Sequence, residues 1–250
     1  MVKGLDTFYK YFSGYEEQYV LIGGAACDIL FESNEINFRA TRDLDMVWIV
    51  EALTPEFGEK FWEFITIGKY RNKSTNGGKP QFYRFDKPED DSFPKMIELF
   101  CRTEFELKNA EGITPIHIDD EISSLSAILL DDAYYKALLN GKVIKNGFSV
   151  LRPEYVILFK AKAYLDLKTR KDAGENIDSS DIKKHKKDIL RIAAELMLEQ
   201  ITGLPAGVNR DIHEFIDVLE QEPFDVNSLK MYGLKNNEVV DVLRYVFEEK

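Results

Sequence analysis

A chain of 250 residues that is 44% hydrophobic and 31% charged, with 17 Phe and 12 Tyr, can bury a core as one large domain or two modest ones, which excludes wholesale disorder. The formal net charge of -11 excludes coating of nucleic acid by bulk electrostatics, leaving only a local basic face open, and two cysteines with three histidines exclude a disulfide framework and a four-ligand structural zinc site. The opening Met1 to Asp6 leads into an aromatic, charged segment with no apolar signal-peptide core, and no run reaches membrane-spanning length, so a cytoplasmic protein with no membrane partner is expected.

In chain order, Leu5 to Phe12 carries apolar residues at helical spacing, and Tyr19 to Ile22 is a short buried strand that stops at a tight turn, Gly23-Gly24. Ala25, Ala26, Ile29 and Leu30 form a helical face, closed by a polar loop from Glu32 to Asn37. Asp43 to Val50 alternates acid and apolar residues and then becomes continuously apolar, as a strand buried towards its end does. Pro55 opens a helix through Phe57, Phe61, Phe64 and Ile65; Asn72 to Pro80 reads as a turn or mobile loop. Gln81 to Phe85 and Lys95 to Cys101 read as strands joined by Asp86 to Pro94.

Short strands are expected at Ile116 to Ile118 and within Lys142 to Leu151, with a helix inside Leu125 to Leu139. Pro153 is placed as an N1 proline for a helix to Leu167, Lys168 to Ser180 is a polar loop, and Ser180 or Asp181 caps a helix through Ile182, Ile189 and Leu196. Helical periodicity returns at Phe215 to Leu219 and Val239 to Phe247, separated by Pro223 and Gly233. The division expected is an α+β part over residues 1–152, a mixed sheet with flanking helices, and a helical part over 153–250.

A strand ending in Gly-Gly, a helix, and then Arg39-x-Thr41-x-Asp43-x-Asp45 opening a second strand has a logic suited to phosphate chemistry. Glycines let backbone amides approach a phosphate, and a helix start adds a partial positive field. Residues two apart on a strand share a face, so Asp43 and Asp45 present both carboxylates to one site while Leu44 turns to the core. Two hard oxygen ligands suit Mg²⁺ or Mn²⁺. Glu98, an acid inside the apolar run Met96 to Phe100, needs a partner; beside the aspartates it would be a third metal ligand or a general base for an attacking hydroxyl.

Gly23-Gly24, Arg39 to Asp45 and Glu98 together resemble the nucleotidyltransferase superfamily of the DNA polymerase beta fold, and most nearly its abortive-infection toxin (AbiEii-like) branch. That resemblance implies transfer of a nucleoside monophosphate from a nucleoside triphosphate to an acceptor hydroxyl on tRNA, a protein or a small molecule, as a toxin with an antitoxin partner. Within that branch a Lys-x-x-Ala helix and a later Lys/Arg-Asp pair follow the core, matched here by Lys160-x-x-Ala163 and Lys187-Asp188. Lys160, with Lys162 in reserve, would then contact the triphosphate, and Asp188 would support the site, by fixing that lysine or the acceptor. The chain departs from the pattern in the long Gly24-to-Asp43 interval, in Gly for the commoner Ser, and in the stretched Lys-to-Asp separation.

Each residue also has a plain reading. Gly-Gly after a strand is a turn, Glu98 an edge-strand acid, Lys160 a snorkelling lysine, and Asp188 an exposed helix acid paired with Lys184. Lys183, Lys184, His185, Lys186, Lys187 and Arg191 would be a solvated face or an RNA contact. Cys27, His117 and His213 read as packing or surface residues. Two other classes stay open, a non-catalytic nucleotide- or partner-binding module of the same fold and a metal-dependent phosphohydrolase.

Overall fold

The computed structural model describes residues 2–39, 41, 43–74, 80–101, 128–129, 131–222, 224 and 235–248, with the backbone alone for 72–74, 80–83 and 236. The chain divides into two compact units, Met1–Glu121 with Lys142–Leu151, and Ile122–Gly141 with Arg152–Lys250.

The first unit opens with α1 (Leu5–Phe12), whose Leu5, Phe8 and Phe12 are buried along one stripe. Strand β1 (Tyr19–Ile22) is buried throughout and passes directly into α2 (Gly23–Glu32). The expected turn at Gly23-Gly24 is not a separate element: Gly23 takes φ +61° and itself redirects the chain into the helix. Strand β2 (Asp43–Trp48) ends two residues before the expected Val50, because after Ile49, whose N–H still donates to Gln18 O at 2.9 Å, the chain enters a 3₁₀ turn at Val50–Ala52. Helix α3 (Pro55–Ile67) starts where expected; Pro55 sits in its first turn and the Thr54 hydroxyl accepts from Phe57 N at 3.3 Å.

Strand β3 (Arg71–Ser74) replaces part of the loop expected from Asn72, since its backbone pairs with β4 (Pro80–Asp86), Arg71 opposite Asp86. Strand β5 (Met96–Phe100) follows. The expected strand at Ile116 to Ile118 lies outside the described residues. After α4 (Asp132–Gly141), β6 (Lys142–Lys145) and β7 (Phe148–Leu151) form a hairpin across Asn146-Gly147, both at positive φ, which is the type I′ requirement.

Among the described residues seven strands form one mixed sheet in the order β3-β4-β5-β2-β1-β7-β6, with β5–β2 and β1–β7 parallel and the other pairs antiparallel, giving an α+β unit. Period-2 alternation separates its faces. Tyr19, Trp48 and Phe85 meet Phe8, Phe12, Phe57 and Phe61 of α1 and α3 in a cluster of edge and stacked ring contacts. Asp43, Asp45 and Glu98 have the opposite parity, and α2 packs on β1 and β2.

The second unit is helical. Helix α5 (Pro153–Asp172) is buried on all sides through its first three turns, and α4, α6 (Ser179–Glu195) and α7 (Ala206–Gln221) pack on it; α8 (Asn236–Val246) packs on α6 and α7. Helix α5 runs five residues past the expected Leu167. The cap of α6 is Asp178, not Ser180 or Asp181: its carboxylate accepts from Ser180 N at 2.8 Å. Among the described residues no helix is long and apolar enough to cross a membrane.

Candidate active site

On β2, Leu44 is fully buried while Asp43 and Asp45 keep part of their surface in solvent, as same-face alternation requires. In register, Asp45 stands beside Ile22 at the end of β1 on one side and beside Glu98 of β5 on the other. The two glycines meet this face directly. A β-carbon built on Gly23 would run into the Asp45 carboxylate, and one on Gly24 would lie 2.5 Å from Thr41 Oγ1. Gly23, Gly24, Thr41, Asp45 and Glu98 are therefore brought together, with Asp43 one pleat away. The N-cap residue of α2, Ile22, makes no side-chain cap hydrogen bond, and the helix's first turn carries both glycines.

Arg39 lies between α2 and β2 with its guanidinium 5.3 Å from the centre of the Phe38 ring, itself against Phe31 of α2. Glu98 is ion-paired with Arg84 of β4, its direct neighbour in register. Reading the sequence alone passes over Arg84; the available signal is a single cation inside the aromatic run Phe82 to Phe85, at a position facing away from Phe85. Among the described residues no three His, Cys, Asp or Glu side chains converge as a ligand set.

In the helical unit, Lys160 Nζ donates to Asp188 Oδ2 at 2.7 Å, with the two residues only 6% and 1% exposed. Asp188 is thus not the exposed partner of Lys184: the face of α6 that carries Ile189 and Ile192 turns it inward. Lys162, two residues on, reaches a different helix, with its Nζ 2.9 Å from Asp211 Oδ2 of α7. The buried Tyr134 hydroxyl donates to that same oxygen at 3.0 Å, and burial with the Asp211 charge pushes its pKa up. Asp211 and Tyr134 escape a sequence reading because their pairing spans 77 residues.

The basic run on α6 is partly consumed internally. Lys186 donates to Glu222 at 3.2 Å and Arg191 to Glu195 at 2.7 Å, while Lys183, Lys184 and Lys187 face solvent.

No family model matches the chain, and no curated protein matches it. Among solved structures it is similar to the crystal structure of an antigenic nucleotidyltransferase-like protein from Paracoccidioides brasiliensis, with 16% identity and a TM-score of 0.41 over 92% of this chain and 95% of that one.

Proposed function

We propose that the chain is a divalent-metal-dependent nucleotidyltransferase that moves a nucleoside monophosphate from a triphosphate to an acceptor hydroxyl. The observation that carries this reading is the direct apposition of Gly23, at positive φ on the first turn of α2, to the Asp45 carboxylate, with Asp43 and Glu98 on the same sheet face. A glycine-rich helix start beside two carboxylates supplies both halves of a metal–triphosphate site.

The donor set fits a hard cation: Asp43 and Asp45 would hold Mg²⁺ or Mn²⁺, with water and phosphate oxygens completing the shell. When bound, that ion neutralises the triphosphate charge and stabilises the leaving pyrophosphate. The amides at Gly23-Gly24 would receive phosphate oxygens, Arg39 and Thr41 would bind the nucleotide beside them, and Glu98 would assist the acceptor hydroxyl. Catalysis then rests on positioning and charge neutralisation. Within the helical unit, the buried 2.7 Å pair supports a role for Asp188 in fixing Lys160. As an AbiEii-type toxin, the chain would act on tRNA or a protein and be held by an antitoxin.

The test is incubation with α-³²P-labelled NTPs, Mg²⁺ and acceptor pools of total tRNA and protein. Label retained on an acceptor, and lost with EDTA or in Asp43→Ala, is the expected result. Phosphate release with no labelled acceptor would replace transfer by hydrolysis, and no metal-dependent NTP binding would leave a non-catalytic module.

A further inference from the structure

Arg84 has no part in the transfer described above, yet it occupies the same sheet face. Register sets Arg84 of β4 beside Glu98 of β5, and Glu98 beside Asp45 of β2, so one cation and two carboxylates line up across three adjacent strands. Carboxylates directly opposite on neighbouring strands repel, and an arginine fork holds a carboxylate in a defined orientation. Glu98 is ion-paired with Arg84, and among the described residues no three acids converge as ligands.

We infer that Arg84 is a positioning residue that keeps Glu98 out of the metal's coordination shell and reserves its carboxylate for the acceptor. Asp43 and Asp45 are then the two protein ligands, and Glu98 acts on the hydroxyl alone. This rests on the metal reading of the two aspartates.

Calorimetric titration of the full chain with Mn²⁺, without nucleotide, tests it. Wild type and Glu98→Gln should bind Mn²⁺ with the same Kd. Arg84→Ala should bind roughly tenfold tighter, since the released carboxylate joins the ion, and the Arg84→Ala/Glu98→Gln double variant should return to the wild-type value. In the transfer assay Arg84→Ala should lower kcat with little change in KM for NTP, and Arg84→Lys should recover part of it. Weaker Mn²⁺ binding by Glu98→Gln, or unchanged binding by Arg84→Ala, overturns the inference while leaving the metal reading intact. If Arg84→Ala fails to fold, the Glu98→Gln titration decides alone. A folded wild type that binds no Mn²⁺ overturns the metal reading, and this inference with it.

Discussion

At Gly23 the backbone takes φ +61°, and a β-carbon there would occupy the space of the Asp45 carboxylate, so conformation and volume both exclude a side chain. Gly24 has only the second constraint, from the Thr41 hydroxyl. Gly23→Ala should therefore destabilise the chain by about 1–2 kcal/mol in urea unfolding, more than Gly24→Ala, because an L-residue in the left-handed region adds its own cost. Because Asp45 must move, labelled-NMP transfer by Gly23→Ala should fall roughly 100-fold. Equal losses in the two variants would show that the carboxylate is not what the missing side chain protects. These glycines and the Asp43/Asp45 pair could be read from sequence because their geometry is local: a strand end, and a two-residue period. Arg84 could not, because its pairing with Glu98 depends on which strand lies beside which.

Helix α5 carries two lysines two residues apart, and they tie it to different neighbours, Lys160 to Asp188 of α6 and Lys162 to Asp211 of α7. Removing one partner of the buried pair takes the 2.7 Å counter-ion from the other charge, so Lys160→Met or Asp188→Leu alone should cost about 3–5 kcal/mol, whereas the double replacement should restore stability to near the wild-type value. The double variant separates structure from chemistry. If it folds at wild-type stability yet transfers no nucleotide, Lys160 has a role beyond holding α6; full activity would make the pair purely structural. The helix itself was legible from its N1 proline and apolar spacing, but its last turn was not, because Lys168 to Asp172 is polar and its contacts are long-range or loop-borne, Lys168 to Glu222 and Arg170 to Glu175. The Asn146-Gly147 dipeptide carried a hairpin signal that a reading of Lys142 to Leu151 as undivided short strands passes over. Strand β3 carried none: Arg71 to Ser74 has no apolar period, and only its backbone pairing with β4 defines it.

Over the whole molecule, the net charge of -11 makes carboxylates the groups whose titration governs acid stability, and Glu222 stands out among them. It follows the last residue of α7 and accepts from Lys168 and the Tyr164 hydroxyl of α5, the latter at 2.9 Å, and from Lys186 of α6 at 3.2 Å. Burial works to raise its pKa, but those three hydrogen bonds together outweigh it and bring the carboxyl from an ordinary 4.5 down to about 2. A carboxyl lowered on folding stabilises the fold fully above its unfolded pKa, and loses that contribution as pH falls from about 4.5 towards 2. Because 38% of its side chain remains in solvent, screening reduces the effect to about 1 kcal/mol. Glu222→Gln should accordingly lower the urea midpoint at pH 7 and flatten its fall between pH 5 and pH 2, leaving the two proteins nearly equal at the acid end. A variant whose deficit stays constant across that range would mean that Glu222 acts through packing of its stem and not through the charge shared by three helices.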